Sequence, residues 1–306
     1  MNKIPVIFAI DNNYVKQLAT AIVSILKNSS REIEFNILTS GISENNKEIL
    51  SRLSGKINFI EVNQVMADFD LEKYMSRRKN YEYISIETYF RFFIPELFPQ
   101  YEKVLYLDAD ILVLDDLSKL FDEDISDYYA GVVQDIWIVE HLQRKTKVFN
   151  GVTFEEYFTK KLNKTTSIYF NAGVLLLNLK KKRDDNVVAK LWKFTRESSP
   201  LHFQDQDVLN SVLENSVKYV DLRWNILKEI DYLQSVIEDR SLKDAIAQSL
   251  ESPGIVHFVG PNKPWQFTYT HDYSYKYIKE WWDNYKLTPY FEERELDIFN
   301  TIINFQ

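Results

Sequence analysis

The chain of 306 residues contains no cysteine, four histidines, and no Pro- or Gly-rich linker despite its eight prolines and seven glycines. The missing cysteine excludes disulfides, thiolate metal sites and cysteine nucleophiles, and it fits a reducing cytoplasm. Positive charge is also in deficit: 37 Lys and Arg face 45 Asp and Glu, a net charge of -8. Such a surface gives no electrostatic reason to bind nucleic acid or an anionic membrane, and a small charged substrate suits it better. Long apolar runs are absent from the start of the chain, where PVIFAI before Asp11 is too short for a signal peptide or a membrane span. The expectation is a soluble, cytoplasmic protein. With 45% hydrophobic residues and no repeat or low-complexity tract, one elaborated domain is expected.

Short β-branched runs alternate with helical patterns. Residues 5–10 read as a strand, and 14–28 as a helix with Leu18, Ala21, Ile22, Ile25 and Leu26 on one face. A strand at 34–40 follows, then a helix over 43–55 with Ser43 as N-cap and Gly55 as its stop, and a strand at 57–62. Further strands are expected at 103–107, 129–133, 173–178, 217–220 and 254–258, with helices at 84–94, 153–163, 180–197, 205–215 and 239–250. The alternation predicts an α/β fold with a mostly parallel sheet flanked by helices. Residues 268–306 are dense in aromatics and read as a helical C-terminal subdomain or tail.

The run VLYLDADILVL, 104–114, sets two carboxylates inside an otherwise apolar segment. If the strand continues through them, Asp108 and Asp110 share one face. Two like charges ~5 Å apart at an effective dielectric of ~20 repel by roughly 3 kcal/mol, so something positive should sit between them. A divalent cation answers this and leaves coordination sites for phosphate oxygens. Ligands of open parallel sheets lie beyond the carboxyl ends of strands. Three expected ends carry polar groups: AIDNNY, LDAD and HFVGPNKPW. Their convergence would add His257 to the two carboxylates, a set suited to Mn2+, with Mg2+ as the alternative. Gly260 allows close backbone approach there, and Lys263 offers a cation for a phosphate. Plainer roles compete: helix capping for Asp11 and Asn13, solvation at a strand end for the carboxylates, a turn for Asn171, and an N-cap for Asp205.

FAIDNNY, YFRF, LYLDADILVLDDL, YFNAGVLLLNLKKKR, FQDQDVLN and HFVGPNKPW, in this order over residues 6–265, resemble the family 8 retaining glycosyltransferases. That family includes bacterial lipooligosaccharide galactosyl- and glucosyltransferases and glycogenin. The resemblance implies a GT-A fold over residues 1–267, a UDP-sugar donor and a saccharide or glycoconjugate acceptor. Carried over by position, Ala9, Asp11, Asn13 and Tyr14 would surround the uridine. Arg91 would reach the diphosphate and sugar, as would Ala109 beside the metal ligands Asp108, Asp110 and His257. Gly260 and Lys263 would meet the diphosphate, with Lys263 balancing the leaving group's charge. Asp135, Asn171, Ala172, Gly173, Asp205 and Gln206 would line the sugar, Gln206 nearest the reacting carbon. The implied reaction retains configuration, and the poor nucleophilicity of a carboxamide favours attack from the face that the UDP leaves.

Two other readings compete. The segment YLDADILV also resembles the nucleophile strand of haloacid dehalogenase-type phosphatases, with Asp108 as nucleophile, although that motif usually sits on the opening strand. A sugar-nucleotide-binding module without turnover would keep the fold but has no need of a full ligand set. For the C-terminal segment, four Lys and Arg against seven Asp and Glu over 271–306 disfavour contact with anionic lipid.

Overall fold

The computed structural model describes residues 3–62, 86–148, 151–266, 276–292 and 295. Seven strands form the main sheet: β1 (Lys3–Ala9), β2 (Glu32–Thr39), β3 (Ile57–Glu61), β4 (Lys103–Leu107), β6 (Ala130–Gln134), β7 (Phe170–Asn178) and β8 (Val217–Tyr219), in the order β3-β2-β1-β4-β7-β6-β8. Pairing is parallel except where β7 runs against β4 and β6. A small second sheet has the order β5-β10-β9, from β5 (Ile111–Val113), β9 (Ile226–Leu227) and β10 (Ile255–His257). β10 runs antiparallel to β5 and parallel to β9.

Burial follows the strand patterns. The interior of β1 and all nine residues of β7 except Asn178 are withdrawn from water, as a sheet covered on both faces requires. The helix Val15–Asn28 lays Leu18, Ala21, Ile22 and Ile25 against one face of the sheet, beside Phe8, Phe35 and Ile37. On the other face, Tyr106, Leu175 and Leu177 meet Phe92, Phe93 and Trp192. Tyr89, Phe92 and Phe93 all pack against the Trp192 ring within 6.0 Å. The helix Ile278–Tyr285 docks through Trp281, Trp282 and Tyr285 onto a third cluster with Leu112, Ile226 and Phe258. It also touches the helix Val15–Asn28, and Lys16 pairs with Glu295 at 3.0 Å. Much of the remaining aromatic tail lies outside the described residues.

Several expected elements differ. The strand does not run through Asp108 and Asp110: β4 stops at Leu107, and the chain crosses to the second sheet as β5 begins at Ile111. The two carboxylates occupy the crossing, while Ala109 between them is buried. In place of the helix expected over 84–94 stand a tight 3-10 run, Ile86–Phe92, and a single α-turn, Ile94–Leu97; residues 84–85 lie outside the described ones. The helix expected over 180–197 is two, Leu179–Asp184 and Val187–Ser198, separated where Asn186 takes a left-handed conformation with φ 51°. Ser43 does cap its helix, but that helix ends at Ser51, short of Gly55. The helices Ile136–Gln143 and Ile230–Val236 were not anticipated.

Candidate active site

The carboxyl ends of β1, β4, β6, β9 and β10 and the amino end of β7 open on one cavity of about 600 Å³, within the size range of small-ligand sites. Because β7 is antiparallel to its neighbours, its first residues reach the same edge as their last. There the β6/β7 register breaks: Val132 faces Leu175, but Val133 faces Asn171. The extra residues bulge, and this aims Asn171 and Ala172 at the cavity; bulges commonly re-aim side chains in this way. Asn171 is thus part of a strand and not a turn.

At the centre stand Asp108, Asp110 and His257, each offering one ligand atom within 4.8 Å of the others'. His257 is the last residue of β10, opposite Ile111 of β5, so the second sheet sets the imidazole beside Asp110. Its Nε2 is 3.0 Å from Asp110 Oδ1 and 3.9 Å from Asp108 Oδ2. Two fixed cations flank the pair. Arg91 reaches Asp108 Oδ1 at 3.0 Å, and Lys263 reaches Asp110 Oδ2 at 2.5 Å. Burial alone would raise the Asp110 carboxyl, yet Lys263 and His257 outweigh it and hold the group well below the usual carboxylate range. Tyr106 donates its hydroxyl to Asp108 Oδ1 at 2.8 Å. Two carboxylates and an imidazole are a hard-oxygen and nitrogen donor set that fits a divalent cation of the Mn2+ type.

Arg91 is buried and fully engaged. It donates to the carbonyls of Thr88 and Ala172, at 2.9 and 2.6 Å, and its guanidinium lies 4.4 Å from the Tyr106 ring centre. Burial opposes its charge, but Asp108 and Asp205 outweigh burial and keep it protonated. Asp205 accepts from the Thr88 hydroxyl at 2.7 Å and is the first residue of the helix Asp205–Val212. The capping position belongs to Gln204, whose φ is 49°, so the expected N-cap role of Asp205 does not hold. Asp135 caps the helix Ile136–Gln143 and accepts from Asn171 Nδ2 at 3.1 Å and Gln206 Nε2 at 3.4 Å. Burial raises its carboxyl despite these donors. Gln206 Oε1 in turn accepts from the Ala172 amide at 2.9 Å.

Ala9, Asp11, Asn13 and Tyr14, which the resemblance would set around a uridine, all lie on the cavity wall. Asp11 caps the short turn Asn12–Tyr14 and accepts from the Asn13 amide and side chain, each at 2.9 Å. The expected capping role is thus observed, on residues that also face the cavity. Gly260 lies in the loop after β10 with φ +75°, a conformation that favours glycine. Gly173 does not line the cavity among its described residues. A Cβ there would sit 2.1 Å from His257 Cε1 and 2.9 Å from Asp108 Oδ2, so this glycine makes room for both side chains.

Sequence reasoning missed Tyr106, Asn225 and Lys228. Asn225 Oδ1 lies 3.1 Å from His257 Nδ1. Lys228 extends from the end of β9 to the carbonyls of Pro261 and Asn262, holding the loop after Gly260; burial first, then Lys263, lowers its pKa to about 8. A polar residue directly after the buried Trp224 was the available signal for Asn225. Trp137 and Phe203 also line the cavity, their rings edge to face with centres 6.0 Å apart.

Known proteins share this architecture. General stress protein A of Bacillus subtilis is 30% identical over 280 residues, covering 88% of this chain and 89% of the relative. Lipopolysaccharide 1,3-galactosyltransferase of Salmonella typhimurium is 26% identical over 275 residues, covering 86% and 73%. A crystal structure of galactosyltransferase LgtC with donor and acceptor sugar analogs superposes with a TM-score of 0.76 at 26% identity, over 96% of this chain and 100% of that one. The fold is GT-A, with its mostly parallel central sheet. Nothing supports the phosphatase reading, and Asp108 follows the fourth strand rather than the first. No helix of the described residues is long and apolar enough to cross a membrane. Residues 5–268, most of the chain, match the profile of glycosyl transferase family 8, and the chain belongs to that family of glycosyltransferases.

Proposed function

We propose that this glycosyltransferase is a metal-dependent, retaining hexosyltransferase of the cytoplasm, moving galactose or glucose from a UDP-sugar to a saccharide or glycoconjugate acceptor. One observation carries the reading: the ligand atoms of Asp108, Asp110 and His257 lie within 4.8 Å of one another, on the wall of a cavity of about 600 Å³. A divalent cation held by these residues would stabilise negative charge on the departing diphosphate.

The chain's own groups do the remaining work. Asp11, Asn13 and Tyr14 bind the nucleoside, with Ala9 close beneath it. Gly260 brings backbone to the diphosphate, and Lys263 and Arg91 supply fixed positive charge where the leaving group develops negative charge. Asn171, Ala172, Asp135 and Asp205 line the sugar. Gln206 is oriented by the Ala172 amide, so its carbonyl oxygen is fixed and its remaining lone pair can face a developing oxocarbenium ion. The acceptor attacks from the face that the UDP leaves, and a phosphate oxygen takes its proton. The helix Ile278–Tyr285 serves this catalytic unit as a packing element. A module that only binds sugar nucleotide is separated by turnover. The test is mass spectrometry of a panel of UDP-sugars incubated with the chain and Mn2+, without acceptor. Slow release of UDP from UDP-galactose or UDP-glucose is expected, and binding without release would favour the module.

A further inference from the structure

Asn225 is buried between the metal-ligand cluster and the sugar end of the cavity, and it belongs to neither. Its surroundings fix which way its amide points. The Gly173 backbone N–H, which can only donate, lies 2.9 Å from Asn171 Oδ1, so that atom is the oxygen. Asn171 Nδ2 donates on the other side to the Asp135 carboxylate at 3.1 Å, which agrees. The Asn225 atom 3.0 Å from Asn171 Oδ1 must then be its NH2 group. Its carbonyl oxygen is left facing His257 Nδ1 at 3.1 Å, and an acceptor there requires a proton on Nδ1. With Nδ1 protonated, Nε2, the atom turned toward Asp110 and Asp108, carries the second proton of an imidazolium or, once a cation takes that proton's place, the lone pair that would bind it.

We infer that Asn225 is a positioning residue that holds His257 in the Nδ1–H tautomer, with its orientation set through Asn171 by the Gly173 amide and the Asp135 carboxylate. All three side-chain hydrogen bonds run one way, from His257 to Asn225 to Asn171 to Asp135. Groups behind a metal-binding histidine typically change metal affinity 10–100-fold when removed, because they fix ring orientation and tautomer. The inference rests on the metal-binding reading of the cluster, and the experiment separates the two.

Free Mn2+ is followed by its electron paramagnetic resonance signal as MnCl2 is titrated into the full chain and into Asn225→Leu, with and without UDP. The parent chain is expected to bind one Mn2+, and N225L to bind it at least tenfold more weakly. Equal affinity in a folded N225L overturns the positioning role while leaving the metal site standing. No Mn2+ binding by the parent overturns the metal reading and this inference with it. Should N225L fail to fold, the parent decides. With histidine ring nitrogens labelled with 15N and Mg2+ bound, His257 should show a proton on Nδ1 and none on Nε2. A protonated Nε2 in that spectrum contradicts the inference.

Discussion

Lys263 Nζ lies 2.5 Å from Asp110 Oδ2, and the lysine side chain is 5% exposed. The ammonium that would balance a leaving diphosphate is therefore also the counter-ion of Asp110, a carboxylate of the proposed metal site. Lys263→Met should lower kcat more than it raises the donor KM, since the charge matters most as the glycosidic bond breaks. It should also strand Asp110. Removing one partner of a buried pair costs about 3–5 kcal/mol. Thermal melts of K263M should show a large loss in EDTA and a partial recovery in Mn2+, which can replace the lost charge. A melt that Mn2+ does not change would contradict the shared role.

UDP with Mn2+ should raise the thermal midpoint, and UDP alone should do so much less, because a ligand stabilises only the state that binds it. Asp11→Ala should weaken this response more than Gln206→Ala. Asp11 holds the Asn12–Tyr14 turn at the proposed nucleoside end, whereas Gln206 stands beside Ala172 and Asp135. The reverse ranking in a ligand-dependent melting series would overturn the assignment of the cavity's two ends.

Much of this site was legible in the sequence because its polar residues punctuate strongly apolar strands. The ends of β1, β4 and β10 could be placed from Asp11, Asp108 and His257 alone, and these ends do meet around one cavity. What could not be read was the handover between sheets. ILV after Asp110 is as apolar as the strand before it, and only the pairing of Ile111 with His257 reveals that it belongs to the second sheet. β9 has two residues, too few for any periodicity, and it is what delivers Asn225 and Lys228. The β7 bulge is likewise a register event between distant segments, with no local signature beyond the Asn-Ala-Gly sequence itself.

Away from the site, Lys182 is buried on the helix Leu179–Asp184, and among the described residues it has no ion-pair or hydrogen-bond partner. Burial lowers its pKa to about 7 from the ordinary 10.5. Between these values the unfolded chain binds a proton that the folded chain does not, so this residue makes stability rise with pH across that window. Below pH ~7 both states are protonated and the full penalty remains. Lys182→Met should raise the thermal midpoint by several degrees at pH 6, at roughly 2–4 °C per kcal/mol. The gain should shrink steadily toward pH 10. Differential scanning calorimetry across that range checks it, and a destabilised K182M at pH 6 would contradict it.

The most direct test of the metal-centred account is UDP release from the preferred UDP-sugar, measured for the parent chain and for Asp110→Asn in Mn2+ and in excess EDTA. Asp110→Asn removes one negative charge from the cluster while nearly preserving its shape. The account predicts that the parent turns over in Mn2+ and stops in EDTA, and that D110N is slower by orders of magnitude in Mn2+. Full turnover in EDTA by either chain would contradict it.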